Sequence, residues 1–132
     1  MTIRAIMPPA FRAVAEQLKM SPAILSGGHL FFTGVTGGNA DGSMPDDPET
    51  QFRNCFGKIG TVLREAGLGF DALVEMTSYH VGLRGHFELF DRVRLEHVHA
   101  PYPAWTAVEV AGLRREGAVV EIRLVANAGT GN

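Results

Sequence analysis

Few residues in this 132-residue chain have the chemistry of a reactive site. Glu121 stands in Val119-Val120-Glu121-Ile122-Arg123-Leu124-Val125, an acid among apolar neighbours. Such a carboxyl group has two uses. In a cleft, burial raises its pKa and suits it to move a proton or position water; otherwise it is a structural partner for an arginine such as Arg123 or one across an interface. Glu109 reads as the acceptor of a structural hydrogen bond. Trp105 is either the wall of an apolar pocket or an interface anchor, since both roles bury the same large indole. His80, His86, His97 and His99 raise the question of a metal. His97-x-His99 near a helix end sends its rings to different faces, and no cysteine or acid stands at zinc spacing beside them, so no metal site is assigned. Cys55, the only cysteine, falls on an apolar helix stripe, where a thiol is inert packing. No Ser/His/Asp set follows from spacing.

The elements that must hold these groups are legible in part. Ala23-Ile24-Leu25 and Leu30-Phe31-Phe32-Thr33 flank Ser26-Gly27-Gly28-His29, the pattern of a β-hairpin. Residues 34–45 form a long Gly/Asn/Pro loop, of a length that is usually functional. It lacks the Lys-Ser/Thr ending or the immediate helix of a phosphate loop. Asp47-Pro48-Glu49 starts a helix, with Asp as N-cap and Pro at its first position. Phe52, Cys55, Phe56, Ile59, Val62, Leu63 and Ala66 continue it at helical spacing to Gly67, with Gln51, Arg53, Lys58, Arg64 and Glu65 on the opposite face. A strand follows over 72–83 and a second helix over 86–97. Strands over 104–110 and 118–126 flank the turn at Arg114-Arg115-Glu116-Gly117. The order β-β-α-β-α-β-β is an α+β or mixed α/β domain, one sheet under two helices.

Composition narrows the function. Hydrophobic residues make up 45% and charged residues 20%, a globular average that excludes a disordered or collagen-like chain. A net charge of −2, with basic residues spread along the chain, gives nucleic acid and anionic membranes no purchase. Apolar runs fall far short of the ~20 residues that span a bilayer. No signal-peptide pattern opens the chain, and one cysteine forms no internal disulfide, so a cytoplasmic protein of one domain, 1–132, is expected.

Alternation on the last two strands carries an expectation about assembly. Val108, Val110, Val120, Ile122 and Leu124 form an apolar face that belongs under the helices. Trp105, Ala107, Glu109, Glu121 and Arg123 then share the reverse face. A large aromatic beside charges suits a surface half covered by another copy of the chain. A homo-oligomer with sheets facing one another and pockets at the seams is expected.

Pro103-Ala104-Trp105-Thr106-Ala107-Val108-Glu109-Val110-Ala111-Gly112-Leu113, followed by Val120-Glu121-Ile122, resembles the signature of the RidA/YjgF/YER057c/UK114 family. Leu30-Phe31-Phe32-Thr33-Gly34, the helix end Ala66-Gly67-Leu68 and the strand after it resemble the family in the same order. The resemblance implies a chorismate-mutase-like α+β fold, two helices on one face of a mixed sheet, and a homotrimer with three inter-subunit clefts. It also implies hydrolysis of enamines or imines such as 2-aminoacrylate, with Glu121 as the catalytic acid. A small-molecule ligand would be held by Trp105, Thr33, Gly34, Ala107 and Met20, with no cofactor. Three positions depart from the deaminating members. Trp105 replaces an arginine that grips the substrate carboxylate bidentately, Met20 a tyrosine, and Thr33-Gly34-Val35 a Ser-Gly-Gln. An indole offers no such fork, which argues against efficient 2-aminoacrylate turnover. Two other readings stand beside the hydrolase: a non-catalytic ligand-binding or regulatory trimer and, least favoured by the charge pattern, an endoribonuclease.

Overall fold

A computed structural model describes residues 2–129, which build one mixed sheet covered on one side by helices. In chain order the elements are β1 (Arg4–Ile6), α1 (Arg12–Leu18), β2 (Ala23–Ser26), β3 (His29–Phe32), β4 (Val35–Thr36), α2 (Pro48–Glu65), β5 (Leu73–His80), α3 (Leu83–Leu95), β6 (Ala104–Glu109) and β7 (Val120–Asn127). Across the sheet the strands run β1-β2-β3-β7-β5-β6, with β4 beside β7. Among the described residues only β5 and β6 pair in parallel, and α3 is the crossover that such a pair needs.

The expected order holds for seven elements, β2, β3, α2, β5, α3, β6 and β7. Three more appear. β1 is three residues long, α1 seven residues without a side-chain cap, and β4 two residues inside the glycine-rich loop. None is long enough to show a period.

Local chemistry explains α2. Asp47 accepts from the Thr50 backbone N–H at 3.1 Å and from its hydroxyl at 2.7 Å, and Pro48 follows at the first helical position. Gly67, at φ 75°, takes the left-handed turn after the helix. Phe52, Cys55, Phe56, Ile59, Val62 and Leu63 are buried, and Phe52 and Phe56 both pack on Phe90 of α3.

The opposite face of α2 is less polar in its surroundings than the sequence implied. Gln51 is fully buried, and Lys58 is half-buried. Gln51 Nε2 donates to the carbonyls of Pro45 (2.7 Å) and Gly117 (2.9 Å), while its Oε1 accepts from Val119 N–H (2.8 Å). Asn54 donates to Gly37, Cys55 to Val35 and Lys58 to Thr36, each to a backbone carbonyl. One stripe of α2 therefore fastens the 35–45 segment, and burying those carbonyls demands such donors.

Along β7 the expected face is correct: Val120, Ile122, Leu124 and Ala126 are buried under the helices. Along β6 it is reversed. Trp105 pairs with Met76, Ala107 with Ser78 and Glu109 with His80, three buried residues of β5. Paired residues share a face, so Trp105 and Ala107 lie on the helix side and Thr106 and Val108 on the open side. The aromatic side chains of α3 account for this: they offer the indole a better neighbour than the open face does.

Candidate functional site

The open face of the sheet carries Ile24, Phe31, Thr77, Tyr79, Val108, Glu121, Arg123 and Val125, as the registers require. Glu121 sits in mid-sheet, between Thr36 of β4 and Tyr79 of β5. It is half-buried, and among the described residues no side chain forms an ion pair or hydrogen bond with its carboxylate. Arg123, two residues along the same face, is not its partner.

Gly34 lies directly against it. A methyl group at Gly34 would sit 2.2 Å from Glu121 Oε2, so only glycine leaves the carboxylate where it is. Thr33 fixes the approach: its hydroxyl donates to the Ser21 carbonyl at 2.7 Å and its N–H to the Pro22 carbonyl at 3.0 Å. That brings the segment after α1, with Met20 42% exposed, beside the loop that holds Gly34. Thr33, Gly34, Glu121 and the 20–22 segment thus converge. An unpaired carboxylate next to bare backbone can accept from a ligand N–H or O–H, or, protonated, deliver a proton.

Towards the other end of the face, His29, Phe31, Val74, Glu75 and Val125 line a shallow concavity of about 340 Å³. Phe31 (40%) and Val74 (43%) are exposed there, an apolar patch on the face turned away from the helices.

Within one chain, Trp105 and Ala107 lie apart from this site. Trp105 is two strands from β7 and on the other face, roughly 10 Å away laterally at the usual strand spacing. Its half-buried indole has several close neighbours. Phe87 stacks on it at 5.7 Å and 3°, Phe90 lies at 6.0 Å, and the Arg94 guanidinium sits 4.2 Å from the ring centre. Arg94 is itself held by Asp91 at 2.7 Å. The indole N–H donates to Ser78 Oγ at 2.9 Å.

From Ser78 a polar chain runs on through the core. Ser78 Oγ meets His80 Nε2 at 2.8 Å, and His80 Nδ1 meets His86 Nε2 at 2.9 Å. Ser78 and His80 are fully buried. Burial, together with the neighbouring His86, pushes the His80 pKa down to about 4, and burial lowers that of His86. Sequence spacing gives no warning of this pair, which bridges a strand end and the first turn of a helix. The other histidines go elsewhere. His97 stacks on Phe56 at 5.1 Å, and His99 is exposed. Among the described residues no three His, Cys, Asp or Glu side chains converge as a metal site would require.

Two further residues behave as their positions imply. Glu109 accepts from the Gly82 and Leu83 N–H groups at 3.0 and 2.7 Å, capping α3, and these bonds hold its pKa below the usual range. Cys55 is buried, which raises its thiol to about 12.

Comparison with known proteins agrees with this architecture. Residues 11–128 match the family model described as endoribonuclease L-PSP. The RutC family protein YjgH of Escherichia coli (strain K12) is 35% identical over 123 residues, covering 92% of each chain. A solved structure of protein YjgH superposes with a TM-score of 0.87 at 33% identity, over 96% of this chain and 97% of that one. RidA from the Antarctic bacterium Psychrobacter sp. PAMC 21119 superposes at 0.76 with 26% identity, over 81% and 86%. Among the described residues no helix is long and apolar enough to cross a membrane.

Proposed function

Because this chain belongs to the endoribonuclease L-PSP family, with YjgF and RidA proteins among its structural neighbours, we propose that it binds and hydrolyses a small imine, enamine or related carbonyl metabolite on the open face of its sheet. The supporting observation is Glu121: a half-buried carboxylate without a partner among the described residues, packed against Gly34. As the acid, Glu121 protonates the enamine carbon and leaves an iminium ion. The resulting carboxylate takes a proton from water as that water adds to the iminium carbon. Collapse of the carbinolamine releases the carbonyl product and ammonia or an amine. Thr33, Gly34 and Met20 border the ligand.

The exposed Phe31 and Val74, beside the half-buried Val125, favour a homotrimer that covers this face and closes the clefts. Trp105 and Ala107, on the helix side of their own chain, take part only if the sheet edge of one copy borders the cleft of the next. A carboxylate-bearing substrate such as 2-aminoacrylate is disfavoured, because no arginine stands where the related enzymes carry one. The occupied indole also favours a second reading, a trimer that binds a small molecule without converting it.

Glu121→Gln separates these outcomes. Expected for the hydrolase is loss of imine turnover, about 10²-fold or more, with oligomer mass unchanged. Equal turnover in the variant removes Glu121 from the chemistry. Ligands that raise the melting temperature of the wild type but are never converted identify the binding protein instead.

A further inference from the structure

Trp105, Ser78, His80 and His86 form a continuous line of hydrogen bonds from the edge of the sheet to the first turn of α3. We propose that this line is a proton-operated latch, which holds the indole and α3 on the sheet while both imidazoles are neutral and releases them on acidification.

Proton counting carries the idea. The indole N–H can only donate, so Ser78 Oγ accepts from it. If Ser78 then donates to His80 Nε2, His80 carries its proton on Nδ1 and donates to His86 Nε2. Each donor along the line then meets an acceptor, and the bonds all point one way. A first added proton on His86 Nε2 reverses the line: His86 donates to His80, and His80 donates to Ser78. Ser78 now accepts twice, and its hydroxyl proton is stranded in a fully buried site. A second proton sets N–H against N–H across the 2.9 Å contact between the rings, which must then separate.

Nothing nearby stabilises the charged pair well. Glu109 on β6 is the one carboxylate acting on both rings, and it is already committed to the Gly82 and Leu83 N–H groups. α2 presents the edge-packed Phe52 to His86 at 5.0 Å, and α3 presents Phe90 to His80 at 4.7 Å. Burial accordingly disfavours the charged form of both imidazoles, lowering the pKa of His86 and bringing that of His80 down to about 4. Release would free Trp105 together with Phe87 and Arg94, which pack on it.

Trp105 is the sole tryptophan, so its fluorescence reports the latch directly. In the intact protein, emission is expected to shift to the red between pH 7.5 and 3.5 while the far-ultraviolet circular dichroism stays constant. His86→Gln, which cannot take up a proton, should move that transition to lower pH or abolish it. Emission that is flat over the range, or a transition unchanged in His86→Gln, overturns the proposal. Should the variant fail to fold, imidazole resonances of the wild type decide: those of His80 and His86 must titrate in coupled steps below the free value, and ordinary titrations of both near pH 6.5 refute the latch.

Discussion

Gly34 and Glu121 act as one unit, since the glycine exists to leave room for the carboxylate. The atoms that a Cβ would strike are the end of the flexible Glu121 side chain. Gly34→Ala is therefore expected to push the carboxylate aside rather than unfold the chain. Stability should change by less than about 1 kcal/mol, as for other mild substitutions, while ligand binding or turnover falls as in Glu121→Gln. Melting temperature and activity measured on the same preparation check this. Trp105→Arg has a different outcome. It would set a second guanidinium beside Arg94 and leave Ser78 without its indole donor, so thermal unfolding should come earlier, with no gain in 2-aminoacrylate hydrolysis. Cys55, with its thiol at about 12, should resist alkylation at pH 8 until denaturant exposes it, as mass spectrometry would record.

At the scale of elements, α2 does more than cover the sheet, because its Gln51 joins the 35–45 loop to the segment before β7. Gln51→Ala removes three hydrogen bonds from a fully buried position and should cost about 2–4 kcal/mol, read from the urea midpoint at unchanged slope. The docking of α3 depends on pH with a definite sign. His80 and His86 have depressed pKa values in the folded state, so the unfolded chain binds more protons as pH falls below about 6.5. Their contribution is complete above that value and shrinks towards pH 4; a urea midpoint that rises on acidification over this range would contradict it. Much of this level was legible in the sequence. Asp47, Pro48 and Gly67 bounded α2, and the alternation of Val120, Ile122 and Leu124 marked the covered face of β7. On β6 both alternate sets contain apolar residues, so periodicity alone could not choose a face; the aromatic side chains of α3 did. The His80–His86 contact and the burial of Gln51 are tertiary, and no spacing encodes them.

The whole molecule is a one-sided sheet. Helices seal one face, and the other shows Phe31, Val74 and Val125 around a shallow concavity, with an acid further along β7 that has no partner among the described residues. Such a surface needs a cover, and copies of the same chain supply it in the proposed trimer, with Glu121 on the covered face. Fold and family were readable from Pro103–Leu113 and Val120–Ile122; of the residues named for the proposed site, Thr33, Gly34 and Glu121 lie near one another. The separation of Trp105 from Glu121 depends on strand order and face, which a linear motif does not contain. Light scattering on the purified protein tests the proposed cover most directly. The expected mass is about three times the 14.2 kDa of one chain, held across dilution to micromolar concentration. A stable 14.2 kDa species at those concentrations would leave the open face bare and contradict a site built between copies.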